Sequence, residues 1–295
     1  MHHAFLIKYM NIRDSRLPSP LWGDENYSDN LLQEAPLAVT MADWVVLAED
    51  ERIHIVELVD STQSIKGLGV FNPMLALSEI EVGEEVLIGQ KYLTRMPARL
   101  PELIKGMRRR AQTISAKDAG ALITRMGIGP GDCVLDAGLG SAGLSLHLAR
   151  VMGNSGHLLT IEPREEHAEV GLTNLARAAD CFAEFPRHDH CEGLVEEVVE
   201  QTGLQFDAVI LDMAEHSAAI KACAPLLKFG ARLACYAPTT SQLESCWETC
   251  NDVGLEVEWA AEIIERPWGK ASKGGIRPTK GAFGHTAFLL IAIKN

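Results

Sequence analysis

The sequence of 295 residues has no apolar run as long as the roughly 18 to 20 residues that cross a membrane as a helix, and its opening MHHAFLIKYMNIRDSR has too short an apolar core for a secretory signal. A soluble, cytoplasmic protein is expected. Paired cysteine spacing is also missing. The seven cysteines (Cys133, Cys181, Cys191, Cys223, Cys235, Cys246 and Cys250) are odd in number and contain no C-x-x-C, which indicates neither a secreted disulfide framework nor a zinc site. Cys246 and Cys250, one helical turn apart, read as half-buried thiols. Positive charge is scarce, and a formal net charge of -13 argues at first against a polyanionic partner. The scarcity is uneven, however. Residues 1–104 hold 8 Lys+Arg against 16 Asp+Glu, Lys105 to Arg125 holds six basic residues and one acid, and from Arg266 onward there are six basic residues (Arg266, Lys270, Lys273, Arg277, Lys280, Lys294) and no acid. Two basic stretches sit in an acidic chain.

What is present is ordinary globular composition, 47% hydrophobic and 23% charged, in a length that suits one large domain or a large and a small one. Residues 1–37, rich in polar and proline positions, form an N-terminal extension with no assigned structure. Residues 38–104 carry short alternating runs (WVVLAED, RIHIVELVD, EEVLIGQKYL) between turn residues and predict a small β-rich domain. From 105 to 295 strands alternate with helices. CVLDAG, HLLTIEP, a weak strand near AEFPRHD, FDAVILDM and RLACYAP predict strands; AGLSLHLARVMG (as an amphipathic helix), REEHAEVGLTNLARAA, EGLVEEVVEQTG, AAIKACAPLLKFG and SQLESCWETCND predict helices. LEVEWAAEIIE and TAFLLIAIKN then follow with no helix between them. This pattern predicts an α/β fold, a mainly parallel sheet with helices on both faces and an antiparallel edge.

VLDAGLGSAGLSLHLARVMG, residues 134–153, spells G-x-G-x-x-G at Gly138, Gly140 and Gly143. Glycines after a first strand let backbone N–H groups approach a ligand and open a helix whose positive end favours anions. Dinucleotide sites and S-adenosylmethionine sites both need that geometry, so the glycines alone do not choose. Asp136 does: at an effective dielectric of about 20 a carboxylate against a pyrophosphate costs about 4 kcal/mol, whereas a sulfonium and an ammonium are attracted to it. Glu162, ending the next strand, accepts hydrogen bonds from ribose hydroxyls in either ligand.

The ordered set RRAQTISAKDAGALI, VLDAGLGSAGLSLHLARVMG, FDAVILDM, the Tyr236-x-Pro238-x-x-x-Gln242 run, ERPW and GHTAFLL resembles the tRNA adenine-N1 methyltransferases that modify position 58 of the T-loop, from about residue 40 to the end. The resemblance implies a Rossmann-like class I methyltransferase sheet, S-adenosylmethionine as cofactor, tRNA as substrate and a homotetramer. It also implies residue roles. Gln112 and Ile114 would contact the cofactor from the linker; Gly138, Gly140 and Ser141 would line its methionine end; Glu162 would hold its ribose and Asp189 its adenine. Asp212, ending the fourth strand beside the cofactor, would be catalytic, accepting from the exocyclic amine of adenine so that N1 becomes the better nucleophile. Tyr236 would stack on the extruded base. Arg108, Arg109, Arg110, Arg266, Lys270, Lys273 and Arg277 would contact tRNA phosphates.

Two departures bear on the substrate side. The family usually reads Y-P-K-D or H-P-K-D where this chain has Ser115-Ala116-Lys117-Asp118, and a hydrophobic residue and proline where Met213 and Ala214 follow Asp212. They leave open a methyltransferase for another RNA site or a small molecule, or a catalytically silent tRNA-binding subunit. A dinucleotide oxidoreductase is the weakest reading. His216, a loop histidine, reads as exposed, and His285 and Thr286 as packing beside the last strand.

Overall fold

The computed structural model describes residues 44–50, 52–279 and 284–295. The expected extension 1–37, the first residues of the β-rich segment and Lys280 lie outside them. Among the described residues no helix is long and apolar enough to cross a membrane.

The chain first builds a small antiparallel sheet. Strands β1 (Trp44–Glu49) and β2 (Arg52–Glu57) are followed by the hairpin β3 (Gln63–Ile65) and β4 (Gly69–Phe71), helix α1 (Pro73–Leu77), β5 (Glu85–Ile88) and β6 (Lys91–Met96). The four longer strands pair in the order β2-β1-β6-β5. Strand alternation gives this sheet two apolar faces. Val45, Leu47 and Val56 close a core of its own with Leu77 and Leu93, while Val46 joins the core of the larger unit, with Ile53 and Ile55 packed against it. The Trp44 indole N–H donates to Asp180 at 3.1 Å, and the Arg177 guanidinium lies 4.6 Å over the Trp44 ring.

The larger unit runs through α2 (Leu100–Gly106), α3 (Ala116–Met126), β7 (Cys133–Ala137), α4 (Gly143–Met152), β8 (His157–Glu162), α5 (Glu165–Cys181), β9 (Arg187–Glu192), α6 (Val195–Val198), β10 (Phe206–Leu211), α7 (Ser217–Cys223), β11 (Leu227–Ala237), α8 (Thr240–Asp252), β12 (Glu256–Ala261), the hairpin β13 (Trp268–Lys270) and β14 (Ile276–Pro278), and β15 (Phe288–Ile293). Seven strands form one sheet in the order β12-β15-β11-β10-β7-β8-β9. β15 runs antiparallel to both of its neighbours, so the reversed strand is one in from the edge that β12 occupies. Alternate residues feed opposite layers: Ala208, Ile210, Ala234 and Tyr236 face one core, and Val209, Leu211, Leu233 and Cys235 face the other. The strand order switches direction between β7 and β10, where an open parallel sheet leaves a crevice at its carboxyl ends.

Several elements differ from expectation. α4, read as amphipathic, buries Gly143, Leu144, Ser145, Leu146, Leu148, Ala149 and Met152 because α2, α3 and α5 pack around it against the sheet. The helix expected through residues 218–230 stops at Cys223. Pro225 cannot donate to the preceding turn, and a 3-10 turn at Ala224–Leu226 leads straight into β11. Lys294 Nζ donates to the carbonyls of Ala224, Pro225 and Leu227 at that break, so this basic residue serves the fold. The helix expected over 192–203 shortens to α6 and a 3-10 turn.

Candidate functional site

A narrow crevice opens at the switch point, lined by Gln112, Thr113, Ile114, Asp136, Gly138, Leu139, Gly140, Ser141, Gly143, Leu144 and Asp212. Six of the predicted cofactor residues are among them, together with Asp212. The glycines are there for close approach of protein to protein. Gly138 has φ +92°, and a Cβ on it would lie 1.9 Å from the Asp212 carbonyl oxygen; one on Gly143 would lie 2.6 Å from the Thr113 Cβ. They let the end of β10 and the linker between α2 and α3 close over the turn. Ala142, at φ +63° and fully buried, holds the turn in a conformation that costs a side-chain residue strain.

The linker is clamped by two residues that the sequence did not mark for this role. The Ser141 hydroxyl accepts from the Arg110 and Ala111 backbone N–H groups at 3.0 and 3.1 Å. Asn174, on α5, accepts from the Arg108 N–H at 3.1 Å and donates to the Arg108 and Ser141 carbonyls at 2.8 and 3.0 Å. Ser141 therefore lines the crevice with a hydroxyl already committed to the linker.

Charge in the crevice is set by burial. Asp136 is 2% exposed, with the Ser145 hydroxyl donating to it. Burial pushes its carboxyl up to about 7; Ser145 counters this, and the Asp212 charge adds to it. Asp212 is pushed up to about 6, also by burial, with His216 opposing and Glu162 adding to the rise. Among the described residues neither acid has a basic partner bonded to it. Glu162 differs, since burial raises it but the Arg164 guanidinium and the Gly140 N–H more than offset that and hold it below the usual carboxylate range. Gly140 N–H donates to Glu162 Oε2 at 2.9 Å, while Arg164 Nε donates to Oε1 at 2.7 Å. The expected ribose acceptor is thus covered by Arg164, whose own side chain is 56% exposed and has room to swing out.

Two predicted residues are placed elsewhere. Asp189 lies opposite Leu159 in the sheet, three residues before the Glu162–Glu192 pair, which is about 10 Å short of the crevice at ~3.3 Å per residue. It accepts from His157 Nε2 at 2.8 Å and pairs with Arg187 at 2.9 Å, on the amino-terminal side of the strands. That corrects its assignment to the adenine. Tyr236 is 8% exposed, its ring in the core and its hydroxyl 3.5 Å from Asp118 Oδ2, so no face is presented for stacking on a base. Asp118 is the centre of a network that sequence reasoning missed. Ser115 Oγ and Thr286 Oγ1 donate to its Oδ2 at 3.0 and 2.9 Å, and Lys117 Nζ to its Oδ1 at 2.7 Å and to Thr286 Oγ1 at 2.7 Å. The Ser115 departure is absorbed there, and Thr286 does more than pack. His216 is buried, not exposed.

Arg108, Arg109 and Arg110 are exposed on the linker, with Arg110 reaching Glu166 at 3.4 Å. Arg266, Lys270, Lys273 and Arg277 are exposed on or beside the β13–β14 hairpin, which also presents Trp268 and Ile276 to solvent. Signals for the Asn174 clamp and for Ser145 were absent, because each acts across a distance that only packing closes.

Against known proteins, the family model described as the tRNA methyltransferase complex GCD14 subunit matches residues 95–273. The chain is 27% identical over 254 residues to the tRNA (adenine(57)-N(1)/adenine(58)-N(1))-methyltransferase TrmI of Methanocaldococcus jannaschii, covering 78% of this chain and 89% of that one. It is 30% identical over 203 residues to the tRNA (adenine(58)-N(1))-methyltransferase TrmI of Thermus thermophilus, covering 69% and 77%. The solved structure of a SAM-dependent O-methyltransferase from Thermotoga maritima superposes with a TM-score of 0.69 at 25% identity, over 87% of this chain and 94% of that one.

Proposed function

The chain belongs to the family of the tRNA methyltransferase complex GCD14 subunit, and from that membership we propose that it transfers a methyl group from S-adenosylmethionine to N1 of adenine 58 in the tRNA T-loop. The observation that carries the reading is the pair Asp136 and Asp212 in one glycine-walled crevice, both raised by burial and, among the described residues, neither bonded to a basic side chain. Residues of this kind fit a cationic donor, because a sulfonium and an ammonium would relieve two confined carboxyls where a diphosphate would add to their repulsion. When bound, the cofactor supplies an electrophilic methyl on sulfur.

The protein's share of the reaction is alignment and charge. Gln112, Thr113 and Ile114 form one wall of the crevice and the glycine turn the other, and these residues would hold a bound donor with its methyl toward the acceptor. Asp212 accepts a hydrogen bond from the exocyclic amine of the adenine, directing electron density to N1 and stabilising the cationic ring produced. No base is needed at N1, which carries no proton. Glu162 takes the ribose hydroxyls once Arg164 gives way. Arg108, Arg109 and Arg110 with the hairpin residues Arg266, Lys270, Lys273 and Arg277 supply phosphate contacts on two sides. This reading also makes the protein cytoplasmic and homotetrameric. Leu87 and Tyr92, paired across β5 and β6 and 55% and 70% exposed, offer an apolar contact for assembly.

The test is incubation with labelled S-adenosylmethionine and unmodified tRNA followed by nucleoside digestion. Label is expected in 1-methyladenosine at position 58; label in another nucleoside, or none, rejects the assignment. Asp212→Ala is expected to lower transfer by far more than it weakens cofactor binding, and equal loss of both would reassign Asp212 to cofactor binding alone.

A further inference from the structure

Beneath the loop that follows Asp212, four soft donors from three separate elements converge on the sheet face opposite Tyr236. His216 is the N-cap of α7, Cys235 lies on β11, and Cys246 and Cys250 stand one turn apart on the face of α8 that covers that strand. A ring nitrogen of His216 and the sulfurs of Cys235 and Cys246 lie within 4.8 Å of one another, and the Cys250 thiol contacts that of Cys235. All four are buried, three of them completely and His216 to within 4% exposure. All the cysteines are free thiols.

The histidine makes this more than a sulfur-rich piece of core. Its Nε2 is sealed from solvent and makes no hydrogen bond of good geometry among the described residues, although the ring lies against the Cys246 thiol and the Leu211 backbone. A buried polar nitrogen without a partner is costly, and natural cores place one only where something satisfies it. Here the ring looks onto thiols, which are poor hydrogen-bond partners and good ligands.

We propose that His216, Cys235 and Cys246, closed by Cys250, form a structural site for a thiophilic divalent cation of the zinc class. One imidazole and three sulfurs are a donor set that selects zinc over magnesium or calcium, and a closed four-donor shell is the pattern of a structural rather than a hydrolytic ion. Zinc bonds of about 2.3 Å to sulfur and 2.0 to 2.1 Å to nitrogen bring tetrahedral donors to roughly 3.5 Å apart, so His216, Cys235 and Cys246 close by about 1 Å around the ion and Cys250, outside that group, swings in further. Binding releases the thiol protons of the ligating cysteines to solvent and converts them to thiolates. The ion would fasten the loop 212–216 to α8 and so fix where Asp212 stands, and the site requires no particular methyl acceptor.

The full chain, stripped of metal with a chelator, is titrated with Co2+. One ion per chain is expected to produce sulfur-to-cobalt charge transfer and the intense visible bands of tetrahedral cobalt, both erased by one equivalent of Zn2+. Zn2+ is expected to raise the melting temperature of the stripped protein. Cys246→Ser and His216→Gln should weaken binding by at least about tenfold and remove that rise, while Cys191→Ser, outside the cluster, should change neither. If Cys246→Ser fails to fold, His216→Gln and Cys250→Ser carry the same comparison. A cobalt spectrum without sulfur charge transfer, a stoichiometry that does not saturate at one, or binding unaffected by His216→Gln overturns the site.

Discussion

Asp136 makes cofactor affinity depend on pH, and the size of the effect follows from its surroundings. Its carboxyl titrates at about 7 because burial removes it from water and Asp212 stands near, the Ser145 hydroxyl offsetting only part of this. A cationic donor binds the carboxylate form, so protons and cofactor compete. The sign is that affinity is present above about 7 and lost as pH falls below it. For one such group the observed Kd scales as 1 plus ten to the power of pKa minus pH. Between pH 7 and pH 5 that is a change from 2 to about 100, a weakening of about 50-fold or roughly 2.3 kcal/mol. The α-amino group of the cofactor stays protonated across this window, with an ordinary pKa of about 7.7 to 8.0, and does not interfere. Asp212 titrates at about 6 and adds to the loss only in the lower half of the window. Calorimetry in two buffers of different ionisation enthalpy should find about half a proton released by Asp136 at pH 7 and nearly one at pH 6, with Asp212 adding about half a proton at pH 6. Asp136→Asn, which keeps an acceptor for Ser145, should flatten the curve above pH 6 and weaken binding at pH 7. S-adenosylhomocysteine, without the sulfonium charge, should show a shallower slope. An affinity independent of pH in the unaltered protein, or an unchanged slope in Asp136→Asn, would refute the argument.

The same shift bears on stability without ligand. A carboxyl moved from 3.8 to about 7 loses the fold stability as pH rises through that window, about 4 kcal/mol in all, so Asp136→Asn should raise the melting temperature at pH 8 and not at pH 4. Gly138→Ala places a methyl against the Asp212 carbonyl in a left-handed backbone, and a loss of more than about 3 kcal/mol in denaturant unfolding is expected, with no cofactor binding at temperatures where the chain stays folded. Asp118→Ala leaves Lys117, whose side chain is 7% exposed, a buried charge without its carboxylate; a loss of about 3 to 5 kcal/mol is expected, and Asp118→Asn should recover part of it. Lys270→Ala and Arg277→Ala should weaken tRNA binding alike for all tRNAs and each flatten the salt dependence by about one unit of slope, with cofactor affinity unchanged; a loss confined to one tRNA would show base reading instead.

The amino-acid sequence by itself determined the α/β class, most of the run of strands and helices, the turn at Gly138–Gly143 and the acid at 136, because each is written in neighbours a few residues apart. It could not show what the glycines are for. Their reason is the Asp212 carbonyl and Thr113, which are tens of residues away in sequence and arrive at the turn only through sheet order and linker closure. Depth along a strand was equally hidden: Asp189 has the right chemistry and the wrong height, because periodicity gives the face of a side chain and not which end of the sheet it is near. Ser141 and Asn174 as clamps, Arg164 over Glu162, and Tyr236 turned to Asp118 are likewise products of packing. The cysteines and His216 follow the same rule, since Cys235, Cys246 and His216 have no ligand spacing along the chain and stand within 4.8 Å once the start of α7, β11 and α8 are brought together. Local order chooses the elements; the tertiary fold decides which distant atoms they bring into contact.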